Sequence, residues 1–226
     1  MDNSGKIILD LCGGSGAWSR PYREAGYDVR VLTLPTADVT SAEFGEKRFW
    51  IYNANRVSAV AIEYENVHGI FAAPPCTEFS RAKGGAPRDH TTAIKIVKAC
   101  LEIVWHCRIN GQLRFWALEN PVGQLRQFIG IPRFSFYQWE FGAHQSKHTD
   151  VWGYFNEPTK TVHERPDIFL RHNPCGSSNG RNWGKLEYPP EYEEYIKTLI
   201  GYTAQRAAAR AITPEGFAKA FFRANK

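Results

Sequence analysis

Three short apolar runs in this chain each end in a polar, turn-forming cluster, and that arrangement restricts the fold more than any other feature. Residues 6–11 run through Asp10 into the loop Cys12-Gly13-Gly14-Ser15-Gly16, residues 68–73 stop at Pro74-Pro75, and residues 115–118 end at Glu119-Asn120-Pro121. Between them lie a helix-compatible stretch up to Ala25 and an apolar segment over 92–107, long enough for a buried helix. Residues 28–34 alternate and predict a second strand, and 136–141 with 151–155 predict a closing pair. Strands alternating with helices predict an open α/β sheet, whose ligands sit beyond the carboxyl ends of its strands. The polar clusters fall at those ends.

Elsewhere the pattern is weaker. Residues 53–66 fit neither period, and Pro, Gly, Ser and Asn accumulate over 157–190. Residues 192–199 predict a helix, and Thr213-Pro214-Glu215 predicts a helix start with Thr213 as N-cap and Pro214 in the first turn. At 226 residues, with 43% apolar and 14% aromatic side chains, the chain can bury one substantial core, so a single domain over 1–226 is expected. The net charge of +5 permits a polyanionic partner without demanding one. Five scattered cysteines with no C-x-x-C pair suggest free thiols in a reducing compartment, neither a disulfide framework nor a metal site. With no leader-like start and no run of about 18 apolar residues, a cytoplasmic monomer off the membrane is expected.

Each polar cluster has a plain reading and a chemical one. Glycines after a strand let the backbone approach a ligand, yet they also make ordinary strand-to-helix turns; the absence of a full G-x-G-x-x-G disfavours NAD. Most cysteines are inert core residues. Cys76 instead stands in a proline-stiffened strand end, Ala73-Pro74-Pro75-Cys76-Thr77-Glu78-Phe79-Ser80, followed by the basic, glycine-bearing 81–85. Glu119 alone reads as a solvated strand end. Together the two suit one reaction: a thiolate added at C6 of cytosine makes C5 nucleophilic, and a carboxyl group hydrogen-bonded to N3 stabilises the developing charge. Amino-methyltransferases instead carry Asn or Asp before the Pro-Pro, where this chain has Ala73.

The order glycine loop, P-C-x-x-F-S, E-N-P and Gln145-x-Lys147-x-Thr149 resembles the DNA cytosine-C5 methyltransferase family over about two-thirds of the chain. That resemblance implies a Rossmann-like, S-adenosylmethionine-dependent methyltransferase fold with a small irregular target-recognition insert at 154–205. It implies S-adenosylmethionine bound at Asp10, Cys12, Gly14, Gly16, Asp38 and Pro74, with Cys76 and Glu119 as the catalytic pair and double-stranded DNA, its target cytosine flipped, as substrate. Cys12 replaces the family's adenine-stacking Phe, leaving Trp18 as the nearest aromatic. Strand two lacks the ribose-binding acid, and a helix before Asp38 is missing. Lys147 or His148 stands where the family has a base-holding arginine. Ser80, Arg81, Lys83, Arg88, Gln145 and Arg181 are the expected DNA contacts, the loop 77–89 is the expected lid, and Arg210 falls near the final motifs. An RNA cytosine methyltransferase and a non-catalytic DNA- or cofactor-binding relative are the rival readings.

Overall fold

In the computed structural model, which describes residues 2–143, 145–166 and 188–226, five consecutive buried residues place β1 (Ile7–Leu11) inside a six-stranded mixed sheet. A strand buried on both faces reads as a continuous apolar run, as this one does. Parallel partners flank it: β2 (Asp28–Leu32) on one side and β6 (Val67–Ala72) on the other. β7 (Phe115–Pro121) pairs parallel with β6. The hairpin of β8 (Phe134–Tyr137) and β9 (His148–Tyr154) completes the order β2-β1-β6-β7-β9-β8, with β9 antiparallel to both of its neighbours. The chain therefore leaves β1 in one direction to β2 and returns on its other side at β6. Such a topological switch opens a crevice at the carboxyl ends of the two strands.

Both faces of the sheet are covered. On one lies α2 (His90–Asn110), whose N-cap Asp89 accepts from the Thr92 amide at 2.9 Å. Its Val97, Cys100, Ile103 and Cys107 share a core with Leu9, Leu11, Ile70 and Leu118. Beside α2 stands a second sheet of β3 (Glu43–Phe44), β4 (Arg48–Tyr52) and β5 (Ala59–Glu63), where the ring of Phe44 stacks on His106 at 3.8 Å. The opposite face is aromatic. Trp18, Tyr22 of α1 (Arg20–Glu24), Phe71 and Phe115 meet Phe217 and Phe221 of the C-terminal helix, Glu215–Asn225. Three short elements lie between: α3 (Arg126–Ile129), α4 (Glu193–Lys197) and α5 (Tyr202–Ala211), so the C-terminal helix is α6.

Several boundaries differ from the sequence expectation. Glu119, Asn120 and Pro121 belong to β7 rather than following it, because β9 pairs with them at Val151, Asp150 and Thr149. The strand expected over 136–141 begins at Phe134 and stops at Tyr137; Gln138–Phe141 is a 3-10 turn, since the Glu140 carboxylate accepts from the Tyr137 amide at 2.7 Å and draws the chain round. Pro214 is the N-cap of α6, not its first residue, its ψ of 134° being extended. The ambiguous 53–66 holds β5. Residues 167–187 of the expected recognition insert, which include Arg181, lie outside the described residues. Among the described residues no helix is long and apolar enough to cross a membrane.

Candidate active site

The carboxyl end of β1 carries a buried acid under a bare loop. Asp10 is 1% exposed, and its Oδ2 accepts from the Ser19 hydroxyl at 2.6 Å. Burial pushes its carboxyl up to about 6, with Ser19 and Arg23 pulling the other way. The loop folds tightly over it, so that a Cβ on Gly13 would stand 2.4 Å from the carboxyl carbon. Gly14, at φ +54°, would place a Cβ 2.8 Å from the hydroxyl of Tyr195 on α4. Tyr195 thus overhangs the loop. Arg20 secures that overhang by reaching Glu191 at 2.8 Å and lying over the Tyr192 ring. Nothing local in the sequence links Tyr195 to a loop about 180 residues earlier.

Two residues expected beside a cofactor ring are turned elsewhere. Cys12 has φ +56°, which reverses the alternation of β1 and packs its side chain against the α2 core; contact with Cys12, then burial, drives the Cys100 thiol well up. Trp18 is 3% exposed, with its ring 4.5 Å from Phe71 and 5.6 Å from Phe221. It is a core residue, and the stacking role expected for it is withdrawn. Asp38 follows the end of β2 and caps the turn Val39–Ser41 by accepting from the Thr40 amide and hydroxyl at 2.9 and 2.7 Å.

Across the crevice the loops after β6 and β7 are tied together. Asn120, fully buried, donates from Nδ2 to the carbonyl of buried Pro74 at 3.0 Å. The Phe79 carbonyl accepts from the Gln124 amide at 2.8 Å, and Gly123 lies so close that a Cβ there would meet that carbonyl oxygen at 2.2 Å. Phe79 itself is buried, stacked on His90. The E-N-P-V-G-Q run is thus a clamp on P-P-C-T-E-F-S. No family model matches this chain, and no curated protein matches it.

The clamp sets Cys76 among charged groups. Glu119 stands one residue beyond the Leu118–Ala72 register pair, and Lys147 Nζ lies 3.4 Å from its Oε1, both side chains 18% exposed. Burial pushes the Cys76 thiol up, Lys147 pulls it down, Glu119 pushes it up, and Arg210 on α5 pulls it down. The expected catalytic pair and Lys147, expected to hold the base, are therefore one cluster, to which the structure adds Arg210. A half-buried thiol with cations at hand can ionise for attack, and a carboxyl beside it can hold a polar substrate.

The loop 77–89 is more ordered than a loose lid. Arg88 donates to the carbonyls of Glu78, Ser80 and Gly84 at 2.6, 3.0 and 3.3 Å, and Lys83 pairs with Glu78. Glu78 also accepts from the Asp89 amide, and Ser80 caps the turn Arg81–Lys83. Lys83 and Arg88 are thereby engaged in holding the loop, which leaves Arg81 as its exposed cation. Gln145 is half-buried, two residues before Lys147. Among the described residues no cluster of three or more His, Cys, Asp or Glu side chains is placed to hold a metal.

Proposed function

We propose that this chain is a DNA cytosine-C5 methyltransferase with S-adenosylmethionine as methyl donor. The observation that carries the reading is the convergence of Cys76, Glu119 and Lys147 at the carboxyl edge of the sheet, beside the crevice that the glycine loop borders. The crevice also suits the donor. Gly13, Gly14 and Gly16 keep the end of β1 free of side chains, and the Tyr195 hydroxyl overhangs it. The loop backbone, Asp38, Pro74 and Tyr195 would hold the molecule, which supplies an electrophilic methyl group, while buried Asp10 props the loop from beneath.

In this reading a cytosine rotated out of the duplex enters between Cys76 and Glu119. The Cys76 sulfur bonds to C6 while Glu119 hydrogen-bonds N3 and steadies the charge spreading onto the ring. C5, now enamine-like, takes the methyl group, and the electron pair of the broken carbon–sulfur bond leaves on S-adenosylhomocysteine. Loss of the C5 proton to a base then returns the electron pair to the ring, breaks the bond between sulfur and C6, and releases 5-methylcytosine and the thiolate. Lys147 favours that thiolate at both ends of the cycle.

Duplex DNA incubated with radiolabelled S-adenosylmethionine is expected to carry label at C5 of cytosine. With 5-fluorocytosine DNA, which has no C5 proton to lose, a covalent adduct is expected on Cys76 and not on Cys76→Ser. Label on adenine, label on RNA alone, or an active preparation that forms no adduct would each overturn the assignment.

A further inference from the structure

A cavity of about 380 Å³ opens where β8 ends, lined by Tyr137, Trp139, Ser146 and Arg165. The mechanism does not use it. Its aromatic wall is layered: the Tyr137 ring lies 4.1 Å from that of His148 at 17°, and 6.0 Å from that of Trp139 at 16°. Tyr137 nevertheless remains 40% exposed, so His148 braces a ring that still presents surface to a ligand. Burial holds His148 below the usual imidazole range, which keeps this brace neutral near pH 7. Between the two aromatics, Gln138 is 3% exposed and keeps an amide oxygen without a hydrogen-bond partner.

The cavity shares its backbone with the candidate active site. Ser146 precedes Lys147, and the Lys147 carbonyl accepts from the Gln138 amide at 3.0 Å. β8 runs parallel to β7, so Tyr137 and Glu119 stand at the same edge of the sheet. By register Tyr137 lies two strands across from β7 and three residues beyond the level of Glu119, roughly 14 Å at the usual strand spacing and rise, a span that the splayed bases of two neighbouring nucleotides can cover. A planar ring stacked on Tyr137, with Arg165 in the same lining to meet its carbonyl or phosphate oxygens, matches how proteins hold single bases.

We infer that this cavity takes the nucleobase next to the target cytosine, unstacked from its own strand, with Tyr137 as the stacking surface. The inference rests on the nucleic-acid reading above. Five-nucleotide single strands test it, one bearing a central cytosine with normal neighbours and one whose two neighbours are abasic. Binding of each to the full chain is followed by fluorescence anisotropy. The wild type and Tyr137→Phe are expected to bind the intact strand about tenfold more tightly than the abasic-neighbour strand, and Tyr137→Ala to bind both alike. Equal binding of both strands by the wild type, a preference retained by Tyr137→Ala, or no binding of either strand overturns it. Adduct formation on 5-fluorocytosine DNA reads the chemistry separately. An adduct without base preference refutes the cavity alone, and base preference without an adduct refutes the methyltransferase alone.

Discussion

Asp10 holds a charge where the fold least favours one. Its carboxyl titrates at about 6 against 3.8 in the unfolded chain, so folding is favoured most when it is protonated, below pH 4. That contribution drains away between pH 4 and 6, leaving a cost of about 2 to 3 kcal/mol at neutrality. Asp10→Asn, which can still accept from Ser19, is therefore expected to be more stable than the wild type at pH 7. The gain should vanish near pH 4 in denaturant titrations. Cys76 offers a second readout, because the thiolate fraction governs alkylation. Its midpoint for iodoacetamide labelling, mapped by mass spectrometry, is expected above that of an ordinary thiol. Lys147→Met should move it higher and Glu119→Gln lower. Both residues were legible in the sequence because each ends or nearly ends an apolar run. The direction of Trp18 was not legible: it follows a glycine loop, but what fixes it is the packing of Phe217 and Phe221, about two hundred residues away.

At the level of elements, the clamp between the β6 and β7 loops decides where the thiol points. Asn120→Ala removes a buried donor from the Pro74 carbonyl and is expected to cost about 1 to 3 kcal/mol of stability. Gly123→Ala cannot be absorbed by a side-chain rotation, since the obstacle is the Phe79 carbonyl. It should lower the melting temperature and change the rate of Cys76 alkylation, whereas Gly85→Ala, with open space around it, should change neither. The strands β1, β6 and β7 and the helix α2 were readable from apolar runs, their lengths and the turn residues that bound them, and β2 from alternation. The end of β7 was not, because its last three residues owe their conformation to β9, which pairs with them across more than twenty-five residues of chain. The small sheet escaped for a different reason. Its burial alternates, with Phe49, Ile51 and Ile62 inward, but Trp50, Tyr52, Ala59 and Ala61 on the other face are apolar too, so the alternation does not show in the sequence.

Over the whole molecule, the sheet divides the work: the α2 face is mainly aliphatic and the α1–α6 face mainly aromatic, while the charges of the candidate active site gather at one edge. Phe221 is fully buried and meets Trp18, Phe71, Phe115 and Phe155. Phe221→Ala is expected to lose about 3 to 5 kcal/mol, read from chemical denaturation, without entering the candidate active site. That helix also carries a consequence for biosynthesis. Asn225 accepts the Tyr22 hydroxyl through its carbonyl at 3.1 Å and donates its side-chain amide to Asn156, so the cover of the aromatic face is nailed down by residues translated after every strand of the sheet. A ribosome-bound chain can pair β1, β2, β6 and β7 early, yet Trp18, Tyr22, Phe71 and Phe115 remain bare until the closing helix emerges. During that interval the nascent protein presents a greasy aromatic plate, the kind of surface that holdase chaperones occupy and that drives aggregation when they are scarce.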